Sequence, residues 1–162
     1  MVCLALKTAS FWLVFSDRFM KSFSIGTSDS EMVTLTVLDY ELPPAGEFYD
    51  DNWLRCEVSL HAGAFCGTFP ANFLTSELEQ LLQGFGTLYQ HLRGDYTFEP
   101  LERQLVLRAS CDNTGHIHIV GEAMDQVGIG HRLTFWFSLD QTYLSSTLRE
   151  LSDVVRAFPV RT

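Results

Sequence analysis

The chain has 162 residues, of which 46% are hydrophobic and 19% charged, and its formal net charge is −9. The apolar content excludes a disordered chain, and a sequence of this length buries enough surface to need no disulfide or metal for its core. The acidic excess argues against nucleic acid or an anionic membrane as a partner, and no apolar run is long enough to span a bilayer.

Residues 1–21 are expected to form an N-terminal extension outside a single α+β domain of residues 22–162. The apolar run Phe11–Phe15 is too short for the core of a secretory signal, and no cleavage motif follows it. The stretch MKSFSIG, which starts at Met20, is typical of the beginning of a bacterial reading frame that leads into a strand. We therefore interpret residues 1–19 as an extension that contributes little to the fold.

The first half of the domain is predicted to consist of strands, because apolar and polar residues alternate there. The predicted strands cover residues 23–27, 32–42, 53–61 and 64–69. Pro43–Gly46 ends the second strand and begins a loop that reaches Asp51. Gly63 lies between the last two strands and predicts that they form a hairpin.

The next segment changes to a helical period, because leucines and aromatic residues recur every three or four positions over Leu78–Leu92. Ser76 and Glu79 have the spacing of a capping box at the start of this helix. Gly84 and Gly86 each weaken a helix by about 1 kcal/mol relative to alanine. We interpret their small size as a means for the helix to lie close to a sheet.

The second half repeats the order of strands followed by a helix. The predicted strands cover residues 96–98, 104–109, 116–123 and 132–139, and the last contains LTFWF, a run too apolar for an exposed edge. A helical stripe runs from Leu144 to Phe158, with Asp140 or Thr142 as its cap and Pro159 after its end. The order predicts an α+β fold, an antiparallel β-sheet of about seven or eight strands with two amphipathic helices packed on it.

The negative charge is concentrated in one part of the chain. Residues 29–57 contain eight acidic residues and one basic residue, a balance of −7 out of the total of −9. One interpretation is a solvated face that keeps the protein soluble. The other is an acidic patch that steers a basic partner toward its binding site.

The stretch Asp50-Asp51-Asn52-Trp53 places two carboxylates beside an aromatic residue. Paired carboxylates can serve as acid and base in glycoside hydrolysis, or can bind a divalent cation. Adjacent carboxylates before a strand more often end a turn and stay solvated, with the tryptophan in the core. A third interpretation is contact with a partner protein.

His116 and His118 are two residues apart on a predicted strand, so both rings leave the same face and could share a metal. A third ligand could be His61, His131 or an acidic residue. The alternative is an outward polar face, because the isoleucines between and after these histidines take the inward positions. We expect no metal and no cofactor.

The four cysteines, Cys3, Cys56, Cys66 and Cys111, are far apart and form none of the close pairs that zinc sites use. Cys56 and Cys66 lie in apolar strand-like runs, where a thiol behaves as a small buried hydrophobe, and this suits a reducing cytoplasm. The sequence also has no nucleophile elbow and no glycine-rich phosphate loop. No such motif therefore supports catalysis, and we expect that the protein is not an enzyme.

Several segments carry a family resemblance. They are VLDYELP and DDNWL (residues 37–54), FPANFLTSELEQL (69–81), FEPLERQLVL (98–107), GHIHIVGEA (115–123), and LTFWFSLDQTYLSSTLREL with its closing FP (133–159). Together they resemble the WapI-like family of bacterial immunity proteins. The similarity runs from about Val33 to Pro159, and residues 1–31 depart from it.

The resemblance implies a small, cytoplasmic, non-catalytic protein. Such proteins bind and neutralise the C-terminal domain of a polymorphic toxin made by the same cell, and in the namesake of the family that toxin cuts transfer RNA. A nuclease presents a basic surface to phosphate, which an acidic inhibitor complements. We therefore predict that Glu47, Asp50 and Asp51 contribute to the contact, and that reversing their charges slows association.

Two other functions are kept as alternatives. One is a metal-dependent hydrolase that uses Asp50 and Asp51, or the pair His116 and His118. The other is a small-ligand-binding module with an apolar pocket. In the immunity interpretation the protein is expected to be a monomer or a weak dimer.

Overall fold

The computed structural model of the protein describes residues 20–28, 31–112 and 114–162. Residues 1–19, the greater part of the expected extension, lie outside the described residues. The described elements, in chain order, are β1 (Lys21–Ser28), β2 (Glu31–Tyr40), α1 (Phe48–Asp51), β3 (Trp53–Ala62), β4 (Phe65–Leu74), α2 (Thr75–His91), β5 (Gly94–Phe98), β6 (Leu105–Cys111), β7 (His116–Met124), β8 (Arg132–Asp140) and α3 (Gln141–Ala157). Among these residues, no helix is long and apolar enough to cross a membrane.

The strands form two antiparallel sheets of four strands each. Sheet A contains β1 to β4 and sheet B contains β5 to β8, each in the order of the sequence. The division falls at α2, because a helix of 17 residues joins β4 to β5, whereas neighbouring strands within a sheet are joined by turns or loops. The α+β class, the antiparallel strands and the two long helices are confirmed, and the structure distributes the strands over two sheets.

One hydrophobic core holds the two sheets together. Apolar residues at alternate positions of the strands point inward, as in the buried–exposed alternation of β3 and β8. Both sheets and both long helices contribute side chains to the same cluster. Phe73 of sheet A stacks on Phe98 of sheet B, with ring centroids 6.1 Å apart. Burying a side chain of this size contributes about 1.5–3 kcal/mol, so the shared core is the main source of stability.

Glu77, in the first turn of helix α2, accepts a hydrogen bond at the start of the helix. The N–H of Leu74 donates to Oε2 of Glu77 at 2.8 Å, which satisfies a main-chain donor at the helix start. The predicted capping box of Ser76 and Glu79 is therefore wrong, because the helix begins at Thr75 and Glu77 occupies the third position. Only Ser76 and Glu79 have the capping-box residues, since Leu74 at the N-cap has no side-chain acceptor, and the position at which the helix begins overrides that pattern.

The close approach predicted for the glycines of α2 is confirmed at one of them. A Cβ atom on Gly84 would overlap the ring of Tyr96 in β5, whereas a Cβ atom on Gly86 would meet nothing within 4 Å. Tyr96 in turn makes an edge contact with Phe85, at 5.8 Å between ring centroids. Gly84 thus allows α2 to lie directly on the first strand of sheet B.

Helix α3 covers the open edge of sheet A. Asp140, one of the two predicted caps, accepts a bond from the N–H of Thr142 at 2.9 Å. Further along the helix, the hydroxyl of Thr147 donates to the carbonyl of Ser24 at 2.6 Å. The N–H of Ser24 donates to Oε2 of Glu150 at 3.1 Å. These two side chains replace a neighbouring strand, which protects the edge strand β1 from pairing with another chain.

Gly84→Ala is expected to lower the free energy of unfolding by about 1–3 kcal/mol, because the added methyl group forces the Tyr96 ring or the helix to move. Gly86→Ala is the matched control and should raise it by up to about 1 kcal/mol, since alanine favours a helix and the space is open. Urea denaturation of both variants measures the difference. Equal stabilisation by both changes would contradict the close packing at Gly84.

Candidate functional site

The segment between β2 and β3 projects from one end of sheet A. This acidic loop (residues 41–51) contains four carboxylates and no lysine or arginine, and every residue from 41 to 50 is exposed. Two adjacent prolines, Pro43 and Pro44, prevent the strand from continuing. The predicted loop is therefore present, and its last four residues form the single turn α1.

The side chain of Asp51 is buried inside the acidic loop and hydrogen-bonds to the backbone of the loop. Its side chain is 6% exposed, and its Oδ1 and Oδ2 accept bonds from the N–H groups of Ala45 at 2.7 Å and Gly46 at 2.8 Å. The bond from Ala45 and, to a smaller extent, those from Gly46 and Glu47 lower the pKa of this carboxyl. Both carboxylate oxygens of Asp51 thus accept hydrogen bonds from within the loop.

Asn52 ties the acidic loop to two distant parts of the chain. Its Nδ2 donates to the carbonyls of Phe48 at 2.6 Å and Arg161 at 2.9 Å. Its Oδ1 accepts from the N–H of Arg161 at 2.7 Å and from the hydroxyl of Thr75 at 2.9 Å. The guanidinium of Arg161 lies over the ring of Tyr40, 3.3 Å from its centroid. The C-terminal segment and the start of α2 therefore hold the loop in place.

The outer surface of α1 combines charge with aromatic rings. Phe48 is 51% exposed and Tyr49 is 66% exposed, and their rings meet edge to face at 5.6 Å. Glu47 and Asp50 flank them and are also exposed. Of the three predicted contact residues, Glu47 and Asp50 thus face solvent, and Asp51 faces the loop. Sequence reasoning missed the two aromatic residues, although their position between the acids was visible.

A comparison of the whole chain with known protein families identifies its family. The model of the immunity protein WapI-like family matches residues 24–159, most of the chain and all the elements from β2 to α3. The chain belongs to this family. The resemblance inferred from the sequence is confirmed, and membership supports an immunity role and implies a cognate toxin as partner. A search of curated proteins found no significant match.

The two histidines singled out from the sequence project from the outer face of β7, as predicted. Nδ1 of His116 shares a hydrogen bond of 2.7 Å with the hydroxyl of Thr114, and Nδ1 of His118 shares one of 2.8 Å with that of Ser138. Oδ2 of Asp112 lies 3.8 Å from the first ring and 3.9 Å from the second. Across residues 20–28, 31–112 and 114–162, no group of three histidine, cysteine, aspartate or glutamate side chains is arranged to hold a metal ion.

Asp112 organises the turn between β6 and β7. Its Oδ1 accepts bonds from the hydroxyl of Thr114 at 2.6 Å, from the N–H of Thr114 at 2.8 Å and from the N–H of His116 at 3.1 Å. The hydroxyl of Thr114 is the main reason why the pKa of Asp112 falls to about 2. The contact of Asp112 with His116 is therefore part of the turn, whereas His118 bonds to Ser138 of β8.

The position of strand β8 in its sheet differs from the prediction. It is an edge strand of sheet B, and Trp136 in the middle of its LTFWF run is 76% exposed. The expectation that this run avoids an exposed edge is wrong. Phe135 and Phe137 point into the core and account for most of the apolar character, whereas Trp136 alternates with them onto the outer face.

The cysteines follow the prediction in part. Cys56 is buried, and burial raises the pKa of its thiol well above the usual range. Cys66 is exposed, so its interpretation as a buried small hydrophobe is wrong. The reason is that β4 projects beyond the core at its start, where residues 65–68 are exposed. Cys111 is also buried, and Cys3 lies outside the described residues.

Asp51→Asn is expected to lower the melting temperature at pH 7, because the amide places a donor group against the N–H groups of the loop. The pKa of Asp51 lies below its ordinary value of 3.8 in the folded protein. The stabilisation by the charged form is therefore present above about pH 4 and is lost as the pH falls through the lowered pKa. Thermal unfolding between pH 2 and pH 7 measures this difference between the wild type and the variant.

Asp50→Asn is the matched control, because it removes the same charge from the neighbouring exposed residue. It should change the melting temperature little at any pH. Equal melting temperatures of the two variants at pH 7 would show that Asp51 does not hold the loop.

Proposed function

We propose that the protein is a non-catalytic immunity protein that binds and neutralises the C-terminal domain of a polymorphic toxin, a basic ribonuclease domain. The observation that carries the proposal is the acidic loop, which is exposed, contains no basic residue of its own and is anchored by hydrogen bonds of Asp51 and Asn52. A domain that cuts RNA needs basic residues against phosphate. An inhibitor with the opposite charge competes for that surface and associates quickly with it.

Within this proposal, Glu47 and Asp50 contact the toxin directly and Asp51 acts by holding the loop. Phe48 and Tyr49 supply the apolar contact between the two acids. Aromatic residues surrounded by polar groups are typical centres of binding energy at protein interfaces. Because the loop is braced before binding, little conformational entropy is lost when the complex forms.

The cytoplasm of the producing cell is the proposed place of action. Cys56, Cys66 and Cys111 are all free thiols, which suits a reducing compartment. The protein is proposed to act as a monomer or a weak dimer. A non-catalytic role is supported by the carboxylate of Asp51, which the loop itself occupies.

The first experiment identifies the toxin and tests inhibition. The tagged protein is used to capture partners from a lysate of its own host, with elution in rising salt, and the C-terminal domain of a captured partner is then purified. We expect a 1:1 complex in which that domain no longer cleaves RNA. Capture of a partner whose activity is unchanged in the complex, or no partner at low salt, would contradict the proposal.

The double variant Glu47→Lys/Asp50→Lys is expected to slow association with that domain by about tenfold and to reduce the dependence of the rate on salt, because rim charges act mainly on association. Stopped-flow measurements at several salt concentrations give both quantities.

The control Glu79→Lys/Asp153→Lys makes the same change in net charge on α2 and α3. It should affect the rate much less, since steering depends on where the charges lie. Equal slowing by both double variants would mean that net charge alone, and not the acidic loop, controls association.

A further inference from the structure

A second feature lies beside the acidic loop, where the ends of the two sheets meet. A pocket of about 290 Å³ opens there. Its lining residues are Glu41, Trp53, Asn72, Glu102 and Val127. The first three belong to sheet A and the loop that follows β2, and the other two to the turns before β6 and before β8.

The pocket combines negative charge with an aromatic wall. Within the described parts of the chain, neither Glu41 nor Glu102 lies within 4 Å of a basic group in an ion pair. Glu41 uses Oε2 to accept a bond from Nδ2 of Asn72 at 2.6 Å, which leaves its other oxygen available. Trp53 is partly exposed. Two carboxylates and an indole ring around one cavity are complementary to an organic cation.

We infer that this pocket receives an arginine side chain of the toxin, an inference that rests on the proposed function. A guanidinium is planar, so it can stack on the indole of Trp53 while its edges donate to Glu41 and Glu102. Val127, which is 48% exposed, offers an apolar surface to the methylene stem. Lysine presents a compact charge without a flat face and satisfies the same pocket less completely.

The walls of the pocket on sheet A are held in place by the buried side chain of Gln104 and by a main-chain hydrogen bond. The N–H of Asn72 donates to Oε1 of Gln104 at 3.2 Å, and Nε2 of Gln104 donates to the carbonyl of Pro70 at 3.0 Å. The N–H of Glu41 donates to the carbonyl of Trp53 at 2.8 Å. Because these bonds exist before any partner arrives, the wall of the pocket on sheet A is preorganised for a ligand. Glu41 is also the first residue of the acidic loop, so the two surfaces are continuous.

The test uses capped amino acids as probes, so it does not depend on isolating the toxin. N-acetyl-arginine amide is titrated into the full-length protein, and the NMR signal of the Trp53 indole is followed. N-acetyl-citrulline amide has nearly the same shape without the charge, and N-acetyl-lysine amide has the charge without the flat group. We expect the arginine probe to bind in the millimolar range, with the other two at least several-fold weaker.

The variant Glu41→Gln/Glu102→Gln removes both charges while the amide oxygen at position 41 can still accept the bond from Asn72. It is expected to bind the arginine probe about tenfold more weakly. The matched control Glu79→Gln/Asp153→Asn removes two charges from α2 and α3, outside the pocket and the acidic loop, and should bind the probe with nearly wild-type affinity.

Equal binding of the citrulline probe, tighter binding of the lysine probe, or equal loss in both double variants would overturn the arginine pocket. These outcomes can be told apart from a failure of the proposed function. If the arginine probe binds as expected and no toxin is inhibited, the pocket stands and the proposed function fails. If a toxin is inhibited and the arginine probe does not move the Trp53 signal, the pocket alone fails.

Discussion

A core shared by two separate sheets requires that the connections around it leave no main-chain group unpaired. Burying an unpaired N–H or C=O group costs free energy comparable to a lost hydrogen bond, so each connection needs a partner for its polar groups. The structure supplies these partners from buried polar side chains. They are Asp51, Asn52, Glu77, Gln104 and Thr147, whereas the buried hydroxyl of Thr75 donates to the side chain of Asn52. In the described residues, every buried side-chain nitrogen or oxygen has a hydrogen-bond partner.

Glu77 illustrates both the benefit and the cost of this arrangement. Its two oxygens accept from the N–H of Leu74 at 2.8 Å and from the N–H of Leu101 at 2.7 Å, which joins the start of α2 to the turn before β6. Burial raises the pKa of this carboxyl, although the two N–H groups act in the opposite direction. The charged form is thus less favourable than in water. Stability from this group falls as the pH rises through the raised pKa, the opposite of the effect at Asp51.

The sequence predicted the features that depend on local periodicity. The alternation around His116 and His118 predicted their outward position, and Asp140 was one of two residues proposed as the cap of α3. The division into two sheets was not predictable, because the alternation within a strand does not specify which strands pair. Trp136 shows the same limit, since an apolar run does not reveal which of its residues faces solvent.

The candidate site was only partly predictable, because the sequence does not specify the tertiary contacts of its residues. Asp50 and Asp51 are identical and adjacent in the sequence, yet one is exposed and the other closes the loop. The choice between them is made by where the N–H groups of residues 45 and 46 lie in space. No sequence pattern links Asn52 to Arg161, because the two residues lie 109 positions apart and nothing in the chain between them signals the contact. Tertiary contacts of this kind decide which acids remain available to a partner.

Charge and apolar surface act at different stages in the formation of the proposed complex. The exposed acids of the loop raise the rate of encounter, because their field reaches beyond contact distance, and salt weakens this effect. Phe48, Tyr49 and the pocket around Trp53 act only after contact, when water leaves the interface and the charges inside it are screened less. The lifetime of the proposed complex is therefore expected to depend on the aromatic residues more than on net charge. A family member could keep an acidic surface and still change partners by altering these few side chains, since specificity is a difference between affinities and not a property of the field.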